Sequence, residues 1–185
     1  MPEKLIAETE DRMRKAGESL ARELAGIRTG KANPALLDPV KVDYYGAPTP
    51  LRQLANIGAP EPRLIVVQPF DKTALAEIEK AILKSSLGLN PSNDGNLIRI
   101  PIPALTEERR KELAKLVRKM GENGKVAVRN IRRDANEKIK RSEKEGEITE
   151  DDSKRLQDRV QDLTNKYTEE IDGMVAGKEK EVMEV

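Results

Sequence analysis

The sequence predicts an α+β protein, in which an elongated antiparallel three-helix bundle carries an inserted small α+β domain with β/α/β sandwich-like layering. Three observations predict it. Leu, Ile, Val and Met recur at helical spacing through charged stretches at both ends of the chain. Ten of the eleven prolines fall between Pro34 and Pro103, where they would withhold helix and ladder amides. Charged residues make up 36% of the 185 residues and aromatics 2%, which suits long solvated helices better than a thick aromatic core.

Residues 3–28 form the first predicted helix, with Ile6, Met13, Ala16, Leu20, Leu24 and Ile27 on one face. It stops at Thr29-Gly30, where glycine can take the left-handed conformation that closes a helix. Within the proline-rich middle, Val40-Lys-Val-Asp-Tyr-Tyr45, Arg63-Leu-Ile-Val-Val-Gln68 and Leu97-Ile-Arg-Ile-Pro101 have strand composition. Gly46-Ala-Pro-Thr-Pro50 has the composition of a turn. Thr73 to Lys84 is helical by the spacing of Leu75, Ile78, Ile82 and Leu83, with Asp71 or Lys72 near its cap.

Thr106-Glu-Glu-Arg-Arg opens a long second bundle helix, with a hydroxyl cap and carboxylates in the first turn. That helix extends to about Lys144 and Gly146 ends it. Thr149-Glu-Asp-Asp opens the third, with Leu156, Val160, Leu163, Tyr167, Ile171, Met174 and Val182 as core positions. Three amphipathic helices bury their stripes by packing antiparallel. Gly121 and Gly124 interrupt the second helix at about 1 kcal/mol each relative to alanine, and are read as tolerated slack.

The bundle is thus assigned to residues 1–29 and 106–185, and the inserted domain to 31–104. Two short crossings join them, Thr29-Gly30-Lys31 and Ala104-Leu105-Thr106, and such a pair permits a hinge.

The chain has no cysteine, histidine or tryptophan, which removes disulfides, thiolate nucleophiles, imidazole bases and the common zinc ligand sets. No Gly-rich phosphate loop or nucleophile elbow is present, so neither an enzyme nor a metal or cofactor site is expected. Met-Pro-Glu-Lys-Leu-Ile-Ala-Glu-Thr-Glu breaks into charge at once, and no later run approaches membrane-spanning length, so a soluble cytoplasmic protein is the simplest reading.

Net charge is only +1, but it is unevenly distributed. Residues 105–146 hold 14 basic and 8 acidic side chains (+6), and residues 147–185 hold 6 and 12 (−6). Lys111, Lys115, Arg118, Lys125, Arg129, Arg132, Arg133 and Lys140 fall within an arc of about 100° on the second bundle helix. Leu113, Leu116, Met120, Ala127, Val128, Ile131 and Ala135 lie nearly opposite. Either the stripe is a solvated face whose cations pair with the acidic third helix, or it binds phosphate, for which the arginine fork is suited. With so few aromatics, contact would be to the backbone and shape of structured RNA.

Five ordered segments carry a resemblance: Ile27-Arg-Thr-Gly-Lys-Ala-Asn-Pro34, Tyr44-Tyr-Gly-Ala-Pro-Thr-Pro-Leu-Arg-Gln53, Leu87-Gly-Leu-Asn-Pro91, Leu105-Thr-Glu-Glu-Arg-Arg-Lys111 and Val126-Ala-Val-Arg-Asn-Ile-Arg-Arg-Asp-Ala-Asn136. Through them the whole chain resembles the ribosome recycling factor family. The resemblance implies an L shape similar to transfer RNA, with two domains on a flexible connection. It implies a monomer that binds the ribosomal RNA of the large subunit after termination and, with elongation factor G and GTP, splits the ribosome into subunits. GTP would be used by elongation factor G, leaving this chain without a cofactor. Arg129, Arg132 and Arg133 match the family's RNA-contacting surface, with Arg28 and Lys31 near the hinge and Arg118 and Lys125 on the same stripe. Lys31 stands where the family pattern leads one to expect arginine.

Overall fold

A computed structural model describes residues 2–184. The chain divides into two compact units, one built from the three long helices and the other from residues 28–107.

In the helical unit, α1 spans Pro2–Ala25, α3 Glu107–Lys144 and α4 Glu150–Met183. Helix α1 ends earlier than its apolar spacing suggests. The Gly26 amide already reaches both Arg22 O (3.3 Å) and Glu23 O (3.2 Å), and Ile27 N–H bonds Leu24 O at 3.1 Å, a tightened last turn that stops the helix before Thr29. At its far end α3 closes on a Schellman motif. Gly146 lies at φ +78°, its amide bonds Glu143 O (3.0 Å), and Glu147 N–H reaches back to Ser142 O (2.9 Å). Two residues later Thr149 caps α4, with Thr149 Oγ1 accepting from Asp152 N–H and the Asp152 carboxylate accepting from Thr149 N–H.

Contacts between the helices fix their directions. Glu3 meets Arg159 at 2.7 Å and Glu10 meets Lys166 at 3.4 Å, so α1 and α4 run parallel in steps of seven. Arg12 meets Asp134 at 3.1 Å and Arg118 meets Glu179 at 2.9 Å, so α3 is antiparallel to both. One stretch of core joins Ile6 of α1 to Ala135 and Ile139 of α3 and Leu156 and Val160 of α4.

The buried face of α3 is rotated by about 50° from the one the sequence suggests, toward the basic stripe. Ala114, Val117, Gly121 and Ile139 are buried, whereas Leu116 is 43% exposed. On α4, Thr164 and Ser153 join the buried set, and Leu163 and Met174 are only half-buried.

Gly121 is a point of close helix approach, not slack. A Cβ placed there would lie 2.3 Å from Val175 Cγ2, and one at Gly124 would lie 3.1 Å from Leu20 Cδ2. Valine is stiff at χ1 in a helix, so it cannot swing aside cheaply. Gly121→Ala gains about 1 kcal/mol of helix propensity but suffers about 1–3 kcal/mol of overpacking. We expect Gly121→Ala to lower the thermal midpoint of the helical unit by a few degrees, roughly 2–4 °C for each kcal/mol lost. A raised midpoint in calorimetry would show that α4 yields at no cost.

The second unit holds a four-stranded antiparallel sheet in the order β3 (Ala55–Glu61), β4 (Leu64–Pro69), β6 (Ile98–Pro101), β5 (Ser92–Asn93). A separate hairpin pairs β1 (Lys41–Tyr44) with β2 (Ala47–Pro50). Residues 46–50, expected to be a turn throughout, are mostly strand. Only Tyr45 and Gly46 form the turn, both at positive φ (51° and 81°), as a two-residue hairpin loop requires. The prolines of β2 and β3 are tolerated because each strand has a neighbour on one side only. Helix α2 (Leu75–Lys84) is preceded by a 3₁₀ turn that Asp71 caps, its carboxylate accepting from Thr73 N–H at 2.9 Å. Ile78 and Ile82 of α2 share one core with Val42, Ile65, Val67, Ile98 and Ile100.

Candidate nucleic-acid interface

The basic stripe of α3 resolves into two rows. Arg118, Lys125 and Arg132 are seven residues apart, and the rotation of the helix turns this row toward α4. There Arg118 Nε donates to Glu179 (2.9 Å), Lys125 Nζ sits 2.6 Å from Asp172 and 3.3 Å from Glu122, and Arg132 Nη1 donates to Gln161 Oε1 (3.0 Å). The Lys125 side chain is only 19% exposed, and the Asp172 carboxylate, reinforced by Glu122, holds its ammonium above the ordinary lysine range. The stripe is therefore not opposite the apolar seam as expected, because the seam itself lies closer to it.

Arg129 and Arg133 form the second row. Both are exposed, and neither makes a hydrogen bond or ion pair with another described residue. Two unpaired guanidinium groups one turn apart present forked donors that can grip successive phosphate oxygens. Among the described residues no group of His, Cys, Asp or Glu is arranged to hold a metal. Nor is any helix among them long and apolar enough to cross a membrane.

The remaining expected residues lie in the two chain crossings, one after α1 and the other directly before α3. Arg28 is half-buried and its Nη2 donates to the Leu87 carbonyl, so this guanidinium is partly spent on structure. Thr29 is buried, Lys31 exposed, and Gly30 takes φ +77° with Leu105 beside it. Both crossings are tied to one hairpin turn. Ala32 N–H bonds Pro62 O at 2.7 Å, and Ile102 N–H bonds Arg63 O at 2.8 Å. Ala104 and Thr106 are exposed and Leu105 half-buried.

Two features escape a reading of α3 alone. The partners Asp172, Glu179 and Gln161 belong to α4, and the seven-residue spacing of the two carboxylates was their visible signal. In the second unit, Tyr45 is 85% exposed and Phe70 64% exposed. The Tyr44 ring meets Tyr45 edge-on at 4.5 Å, and its hydroxyl donates to Asp71, the residue after Phe70, at 3.1 Å.

The family model described as ribosome recycling factor matches residues 20–183. The chain belongs to the ribosome recycling factor family. It is 60% identical to the ribosome-recycling factor of Halalkalibacterium halodurans and 56% identical to that of Bacillus subtilis, each over 185 residues and the full length of both chains. A solution structure of the ribosome recycling factor superposes with a TM-score of 0.81 at 46% identity, covering 100% of this chain and 98% of the other. A chain from models for the T. thermophilus ribosome recycling factor and the E. coli elongation factor G bound to the E. coli post-termination complex matches at TM-score 0.68 and 49% identity, with full coverage of both. Ribosome recycling factors are translation factors and not enzymes.

Proposed function

We propose that this chain binds the post-termination ribosome and, with elongation factor G and GTP, splits it into subunits. The observation that carries the reading is the free Arg129 and Arg133 row on α3, in a chain whose solved relative is described together with elongation factor G on a post-termination complex. The row docks on ribosomal RNA of the large subunit through phosphates, and Arg132, Arg28 and Lys31 add positive charge. Lys125 and Arg118, already paired with α4, contribute less. Hydrolysis of GTP belongs to elongation factor G, so this chain needs no cofactor of its own.

The helical unit acts as the anchor and residues 31–104 as the part on which elongation factor G bears, the protein working as a cytoplasmic monomer. Between them Thr29, Gly30, Lys31 and Ala104, Leu105, Thr106 serve as the hinge through which a push becomes broken intersubunit contacts. Tyr45 and Phe70 give the inserted unit its large exposed aromatic surface, a form of side chain suited to a protein partner.

Sedimentation with purified ribosomes over a salt series, followed by subunit splitting with and without elongation factor G and GTP, tests the reading. Binding should weaken steeply with salt, and splitting should require both elongation factor G and GTP. Salt-independent binding, or splitting with no dependence on elongation factor G, would overturn it.

A further inference from the structure

Helix α4 meets the α3 cations in antiparallel register, and its side chains change character along that register. At the first two levels it offers carboxylates, Glu179 to Arg118 at 2.9 Å and Asp172 to Lys125 at 2.6 Å. At the third level the charge disappears. Arg132 donates to the amide oxygen of Gln161 at 3.0 Å, and the Gln161 amide nitrogen is in turn held by Asn165 at 2.8 Å. Arg132 makes no ion pair with another described residue. A carboxylate cancels a neighbouring cation, whereas an amide orients it and leaves the charge intact. Along the stripe between Arg118 and Arg133, the uncancelled positive charge thereby lies at Arg129, Arg132 and Arg133.

We infer that α4 determines where RNA docks on α3: Asp172 and Glu179 suppress phosphate binding at Lys125 and Arg118, and Gln161 is a positioning residue that aims Arg132 without neutralising it. The inference rests on the proposed docking of the stripe to ribosomal RNA and assigns its specificity-determining residues. Without these two carboxylates and Glu122, the stripe from Arg118 to Arg133 would be a continuous cationic ridge able to lie along any RNA duplex. With them, only a target that presents phosphates to one short segment is held well.

The test measures two affinities across a salt series, for purified ribosomes and for a poly(A)·poly(U) duplex as generic RNA. Asp172→Asn and Glu179→Gln, combined with Glu122→Gln to remove the second carboxylate on Lys125, free two cations, which steepens the logarithmic salt slope for the duplex by about 2 and raises its affinity on the order of ten-fold near 0.1 M salt. Affinity for ribosomes should rise less, so the preference for ribosomes falls. Gln161→Glu keeps side-chain shape but supplies a charge, and should make the ribosome salt slope shallower by about 1. Circular dichroism confirms the helices in each variant. An unchanged duplex slope in the first variant, an equal gain for both targets, or an unchanged ribosome slope in the second overturns the inference. Loss of the underlying docking reading is seen separately, as wild-type protein whose ribosome binding ignores salt.

Discussion

Arg129→Ala combined with Arg133→Ala should reduce ribosome affinity on the order of 10–100-fold near 0.1 M salt and make the salt slope shallower by about 2. The magnitude follows from counterion release. Each phosphate neutralised contributes roughly 0.9 to the slope, and at low salt each also contributes nearly a decade of affinity. These two side chains are exposed and make no ion pair or hydrogen bond with another described residue, so their removal leaves no buried charge behind and the helices should melt at the wild-type temperature. Arg129→Lys with Arg133→Lys separates charge from geometry. The slope should persist, and any loss of affinity measures what the forked guanidinium adds over a point charge. If the double alanine variant sediments with ribosomes as the wild type does at every salt concentration, the row is a solvated surface and the docking face lies elsewhere.

The bundle was legible in the sequence because burial along a helix repeats with a fixed period and its ends carry recognisable chemistry. Thr149 with Asp152 and Gly146 after Lys144 behave as their spacing predicts. The choice of which apolar residues of α3 face inward was less legible. Leu116 and Ala114 both fit a wide apolar arc, and only the position of the neighbouring helices decides that Ala114 is buried and Leu116 is not. Gly121 was misread for a related reason. Its burial depends on being small where Val175 crowds the helix, and smallness leaves no trace in a hydrophobic pattern. In the second unit, β2 and β3 escaped notice because Pro48, Pro50, Gly58 and Pro60 argue against a strand, and edge strands tolerate what central strands do not. The site divides in the same way. Arg118, Lys125, Arg129, Arg132 and Arg133 could be named from residue type and spacing on one helix, and Arg28 and Lys31 only through the family resemblance. Which of them are already paired with α4 depends on the register between two helices, and no single-helix wheel contains that register.

Gly30→Cys with Leu105→Cys, oxidised, should abolish most subunit splitting while leaving ribosome binding intact, and reduction should restore splitting. The geometry allows the link. A Cβ built on Gly30 lies 3.8 Å from Leu105 Cβ, at the mean separation of about 3.8 Å found in disulfides, and the chain has no other cysteine to compete. The two crossings are anchored on one side by Ala32 to Pro62 and by Ile102 to Arg63. Beyond those anchors no covalent bond joins the two crossings, and the proposed hinge requires that one be free to shift past the other. A covalent bond between them closes a ring and removes that freedom. Gly30 adopts φ +77°, so any side chain there adds strain, and a Cβ would also lie 3.2 Å from the Leu105 amide nitrogen. Gly30→Ala therefore carries the strain without the link and serves as the control. If the alanine variant is as inactive as the oxidised pair, loss of splitting reflects a distorted backbone. If the oxidised pair splits ribosomes at the wild-type rate, motion at Thr29 to Lys31 and Ala104 to Thr106 is not how the push of elongation factor G is transmitted.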